Sequence, residues 1–127
     1  MKKIFTVFFV LLSAFAFAQS TTVVISQVYG AGGNNGAVWN ADYVELHNVS
    51  NTTQSLSGFS LQYGSATGTG FTSTFSLPAV TMPAGSYLLV QMSSVGAGGV
   101  AISPTPDVIA SPTISMGGTN GIRTDNF

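Results

Sequence analysis

Beyond its first eighteen residues, this chain nowhere spaces its apolar side chains at the three-to-four interval of a helix; they recur at every second position instead. A period of two sends neighbouring side chains to opposite faces of a strand, which points to sheets with one covered face. Residues 22–29 open as a β-branched run, Thr-Val-Val-Ile. In the next stretch, Val44 and Leu46 face one way and Tyr43, Glu45 and His47 the other. Phe59, Leu61 and Tyr63 alternate with Ser60 and Gln62, and Phe71, Phe75 and Leu77 share a parity. Residues 87–92 are apolar nearly throughout, which predicts a strand buried on both faces, and a weaker strand is expected over 107–110. The connections carry breakers: a Gly/Asn loop over 30–36, polar or small-residue turns over 50–55 and 64–70, Pro83-Ala84-Gly85, and a Gly/Pro-rich loop over 96–106. Short strands separated by such turns predict an all-β sandwich or barrel, with no internal repeat and no second domain.

The amino terminus reads differently. Lys2 and Lys3 precede an apolar run from Ile4 to Phe17, and Ala16-Phe17-Ala18 supplies the small residues of a signal-peptidase site. The run is shorter than the roughly 20 residues of a membrane span. Residues 1–18 are therefore expected to be a bacterial-style export signal, with 19–127 as one domain and no membrane span after cleavage. The product would be extracellular, at the cell surface or periplasmic. Both lysines leave with the signal, so Arg123 stands alone against Asp42, Glu45, Asp107 and Asp125. Phosphate neutralisation needs several basic residues on one face, which excludes nucleic-acid binding through this chain alone. There is no cysteine, so an exported domain of this kind must rely on its core rather than on disulfides. Four of the nine Phe, with all four Tyr and the one Trp, lie beyond residue 18; they supply the means, and argue against disorder.

Several phrases carry a resemblance. They are Val23-Val24-Ile25-Ser26-Gln27-Val28-Tyr29-Gly30, Asp42-Tyr43-Val44-Glu45-Leu46-His47-Asn48, Leu56-Ser57-Gly58-Phe59, and Met82-Pro83-Ala84-Gly85-Ser86-Tyr87-Leu88-Leu89-Val90. In this order and spacing they resemble bacterial lamin-tail domains, from about Val23 to about Gly121. The resemblance implies an immunoglobulin-like β-sandwich. It marks Asp42, Glu45, Asn48, Gly58, Pro83 and Gly85 as structural motif positions, and brings no catalytic residue and no cofactor. Such modules are commonly joined to exported nucleases, phosphoesterases and other hydrolases, or placed in cell-surface proteins. The carboxyl end departs from the pattern. Gly118–Gly121 is followed by Ile122-Arg123-Thr124-Asp125-Asn126-Phe127, with no room for a closing strand. A truncated or frame-shifted fragment of marginal stability is expected on that ground, because an unclosed sandwich leaves backbone groups and apolar surface uncovered.

Candidate chemistry is sparse. His47 is the one histidine, it lies in a strand, and no Gly-x-Ser-x-Gly elbow accompanies it, so no catalytic triad is expected. Glu45 and His47 share a strand face, yet a metal site needs three or four ligands. Asp42 and Glu45 are three apart and face opposite ways, which removes them as an acid–base pair. Asp42 is better suited to accept hydrogen bonds from backbone N–H groups of the preceding loop, although calcium held with Asn34, Asn35 and loop carbonyls is a second use. Residues 30–36 lack the Gly-Lys-Ser/Thr ending of a phosphate loop, leaving a loop whose glycines permit unusual φ. Trp39 is either a core plug or an exposed binding aromatic. Asn48-Val49-Ser50 and Asn51-Thr52-Thr53 match glycosylation sequons, but behind a bacterial-style signal they mark a polar turn.

The leading expectation is thus a secreted, non-enzymatic module for binding, adhesion or spacing, with an extracellular or cell-surface ligand that the residues do not name. One alternative is the amino-terminal piece of a larger exported nuclease or phosphoesterase. Another is a small carbohydrate-binding module using Trp39 and the tyrosines as its platform.

Overall fold

In the computed structural model, which describes residues 22–65 and 68–116, eight strands and no helix form among the described residues. They are β1 (Val23–Tyr29), β2 (Tyr43–Asn48), β3 (Gln54–Ser55), β4 (Ser60–Tyr63), β5 (Ser73–Ser76), β6 (Thr81–Met82), β7 (Tyr87–Gln91) and β8 (Val108–Ile109). One four-stranded sheet runs β1-β2-β7-β8, and two ribbons, β3-β6 and β4-β5, complete the set. Every pairing is antiparallel except β7 with β8.

The alternation read from the sequence accounts for the core. Partners in the large sheet line up as rows of like side chains: Val28 opposite Val44, Val44 opposite Val90, and Val90 opposite Val108. A second row joins Ile25, Leu46 and Leu88. Such β-branched and aliphatic neighbours are what stabilise a pleated face. The rows belong to one cluster with Leu56, Leu61, Phe75, Leu77 and Met82 from the ribbons, so the large sheet and the ribbons enclose a single core. Leu46 and Leu56 have no exposed surface at all.

Between Ile25 and Gln27 the register of β1 against β2 shifts by one residue. Without that bulge, Ile25 and Val28 would face opposite ways; with Ser26 as the extra residue, both pack on the core. Gln27 and Tyr29 are sent to the outer face beside Glu45 and Tyr43.

The long strand β7 is covered on both sides. Leu88 and Val90 enter the main core, while Leu89 joins Ala41, Tyr43 and Ile102 in a second, smaller cluster on the outer face. Ile102 comes from the 96–106 segment, which lies over the sheet instead of projecting from it. That segment meets the 30–36 loop backbone to backbone, through bridges of Gly33 with Gly98 and Trp39 with Val100. A Cβ on Gly32 would overlap the Ala41 carbonyl, and one on Gly98 would overlap the Asn34 carbonyl oxygen. The unusual φ expected of the 30–36 glycines occurs at Gly33 and Gly36, at 75° and 81°, and close backbone contact adds a second demand for glycine at Gly32 and Gly98.

Two expectations need correction. Phe71 lies ahead of β5 and is 41% exposed, so it does not share the buried face of Phe75 and Leu77. The ladder of β5 ends at Ser73 opposite Tyr63, and among the described residues no strand lies opposite residue 71 to cover its ring. The polar stretch over 50–55 also contributes β3 at its end, paired with β6. Two-residue strands carry too little alternation to be recognised. The export signal and the closing segment fall within 1–21 and 117–127, outside the described residues.

Candidate functional site

The motif phrases place their polar side chains at the seams of the sandwich. Asp42, 1% exposed, stands just ahead of β2. Its Oδ1 accepts from the Gly32 N–H at 2.8 Å and its Oδ2 from the Met116 N–H at 2.7 Å. Its own N–H donates to Ser93 Oγ at 2.8 Å. One carboxylate thus ties the loop before β2 to a segment 74 positions further along the chain. Charge-assisted bonds from backbone amides are among the stronger ones available. The same contacts engage both oxygens that the calcium reading would have used.

Asn48 closes β2 at the other end and has no exposed surface. Its Nδ2 donates to the carbonyls of Thr52, Met82 and Pro83 at 2.8, 2.9 and 3.0 Å. Its Oδ1 accepts from Ser50 N–H at 3.0 Å and from Ser50 Oγ–H at 2.7 Å. The main chain adds Asn48 N–H to Ser86 O at 2.9 Å and Gly85 N–H to Asn48 O at 3.0 Å. Asn48 and the Pro83–Gly85 turn therefore form one knot, in which Gly85 holds a φ of 72° that favours glycine. Gly58 does the same in the turn before β4, with a φ of 86°. A glycan on Asn48 Nδ2 is incompatible with this packing, whereas Asn51 in the neighbouring turn is exposed.

Glu45 lies on the outer face of β2, and its Oε1 accepts from Ser26 Oγ–H at 2.6 Å. His47, on the same face, stacks on Tyr87 with ring centroids 4.1 Å apart and planes 7° from parallel. Among the described residues no three His, Cys, Asp or Glu side chains gather as a metal site. A catalytic base needs a third group to aim it at a nucleophile; the contact that orients the His47 ring is this stack.

Asp107 is the polar residue that sequence reasoning passed over. Its N–H donates to Leu89 O at 2.9 Å while its Oδ2 accepts from Leu89 N–H at 2.8 Å. The side chain thereby stands in for a strand partner where β8 has not yet begun. An aspartate ahead of a short β-branched pair gives no hint of which strand it will meet.

Trp39 is partly buried against the smaller cluster of Ala41, Tyr43, Leu89 and Ile102. The packing agrees with the core-plug reading, and the same residue also lines a cavity. The cavity, about 60 Å3 in volume, is lined by Gln27, Trp39, Tyr43, Glu45, Leu89, Ile102, Ser103 and Pro104. Tyr29 stacks on Tyr43 with centroids 5.5 Å apart, and its hydroxyl accepts from Val38 N–H at 2.9 Å. Burial, the nearby Glu45 charge and Tyr29 together hold the Tyr43 phenol above its ordinary pKa of 10.0.

The family model described as Lamin Tail Domain matches residues 17–121. A comparison with curated proteins found no match. The matched span takes in every strand among the described residues and all six motif positions, Asp42, Glu45, Asn48, Gly58, Pro83 and Gly85. The family is a β-sandwich module, non-catalytic and immunoglobulin-like, in agreement with the all-β architecture found here. The chain belongs to the lamin tail domain family.

Proposed function

We propose that this chain is an exported, non-catalytic lamin-tail module whose work is binding at the cell surface or beyond it. The observation that carries this reading is the use made of its polar motif residues. Asp42 engages both carboxylate oxygens with backbone amides, and Asn48 engages its whole amide group with backbone and Ser50. These residues fasten loops to strands. The side chains left facing outward, Trp39, Glu45 and Gln27, border a small cavity on one face of the sheet, an arrangement suited to recognition rather than turnover.

Export is supported by the run from Lys2 to Ala18, with its basic start, apolar centre and small residues at the end. The test pairs two measurements on the expressed protein. Fractionation of cells should place it outside the cytoplasm, and the purified protein should leave DNA, phosphoesters, peptides and simple esters intact with and without divalent metal. Metal-dependent turnover abolished by His47→Ala would overturn the non-catalytic reading. Confinement to the cytoplasm would overturn export.

A further inference from the structure

The cavity beside Trp39 combines two aromatic rings, one carboxylate and a very small volume. We propose that it receives a compact organic ammonium group, such as a methylated amine head group. The proposal rests on the reading of the chain as a binding module and names the chemistry of what it binds.

Size is the first argument. At about 60 Å3 the cavity is far below the roughly 300 Å3 at which pockets for drug-sized ligands begin. That volume suits a single head group better than a whole sugar ring.

Charge is the second. Glu45 lines the cavity, and none of the described residues is Lys or Arg, so the chain described here offers this carboxylate no guanidinium or ammonium partner. Trp39 and Tyr43 stand beside it, and the negative faces of such rings attract a cation that has shed part of its water.

Preorganisation is the third. Ser26 Oγ–H anchors Glu45 Oε1 at 2.6 Å. The Trp39 backbone is held by its carbonyl accepting from Gly33 N–H at 3.0 Å and by the bridge to Val100. Val38 and Trp39 N–H both point at the Tyr29 hydroxyl, at 2.9 and 3.5 Å. Receptor groups fixed before binding lose little freedom when the ligand arrives.

Trp39 is the chain's one tryptophan, so its fluorescence reports on the site directly. Tetramethylammonium chloride is titrated into the protein against sodium chloride at equal ionic strength, with methyl glucoside as a neutral comparison. We expect a saturable change with tetramethylammonium alone. Glu45→Gln, which keeps an acceptor for Ser26, should weaken binding by about tenfold, and Trp39→Phe, followed by amide chemical shifts, by about threefold. Circular dichroism of both variants checks that the fold is kept. A response no different from sodium chloride, an undiminished response in a folded Glu45→Gln, or saturation by methyl glucoside instead would each overturn the proposal. None of these outcomes touches the non-catalytic reading, which the hydrolysis assays test separately.

Discussion

Asn48→Ala removes five hydrogen bonds from a side chain with no exposed surface. Their losses are unequal. Thr52 and Pro83 are exposed and Ser50 is half-buried, so their freed groups can turn to water. Met82 is 1% exposed, and its carbonyl loses the side-chain donor in a dry place. A stranded buried group costs about 1–3 kcal/mol and each of the four rehydrated bonds about 0.5–1 kcal/mol, giving roughly 3–7 kcal/mol in all. For a domain of this size that lowers Tm by on the order of 12–35 °C. Asn48→Asp is the sharper test, because it keeps the acceptor for Ser50 but turns a carboxylate toward three carbonyls. At pH 7 it should be less stable than Asn48→Ala. Burial and the facing carbonyls raise the folded pKa of the new acid above its unfolded value of about 3.9. The neutral acid's contribution is therefore complete below the unfolded value and is lost as pH rises through the folded one. Urea unfolding followed by circular dichroism between pH 4 and 7 measures both effects. A loss under about 1 kcal/mol for Asn48→Ala, or an Asn48→Asp variant that tolerates pH 7 as well as pH 4, would refute the reasoning.

Leu46→Ala, at a wholly buried position, should cost about 2–5 kcal/mol, while Ile109→Ala, at a residue 63% exposed, should cost under about 1 kcal/mol; chemical denaturation of both decides. Gly98→Ala should destabilise by at least about 1–3 kcal/mol because its Cβ meets backbone, not a movable side chain, and amide chemical shifts should change in both the 30–36 and 96–100 segments. The Tyr43 phenol should titrate above 10.0, and Glu45→Gln should bring it down by removing a neighbouring charge, as read by ultraviolet absorbance. Because its folded pKa is raised, Tyr43 contributes stability that is complete below its unfolded pKa and lost as pH rises through the folded value. Intact-mass measurement of exported protein should show Gln19 at the amino terminus; Lys2 and Lys3 kept in that product would contradict cleavage after Ala18.

Much of the sandwich was legible because period-two alternation is a local property. The pair Val44 with Leu46 identifies the core face of β2, and the apolar run over 87–92 the two-sided burial of β7, without knowledge of their partners. The bulge at Ser26 was not legible, since a parity switch from Ile25 to Val28 looks like a lapse in pattern until β2 supplies the register. The outer cluster was missed for a related reason. Burial of Leu89 follows from the two-sided strand expected over 87–92, but Tyr43 looks solvent-facing by parity and is buried in a cluster that includes Ile102 from a loop. Asp42 was recognisable as a backbone acceptor, and one amide, Gly32, lies in the loop expected for it; the other, Met116, is remote in sequence. Trp39 was visible as a residue but its setting was not, because Glu45 and Gln27 join it only through strand pairing and the bulge.

Asp42 and Asn48 act as fasteners of loop to strand. Native-state hydrogen exchange of the amides of Gly32 and Met116 tests this most directly, because both sit outside strands, where fast exchange is the rule. With the Asp42 carboxylate holding them, their protection should approach that of Leu46 and Val90, and Asp42→Asn should reduce it at both positions together. Exchange of Gly32 and Met116 at loop rates, while Leu46 and Val90 stay protected, would contradict the claim.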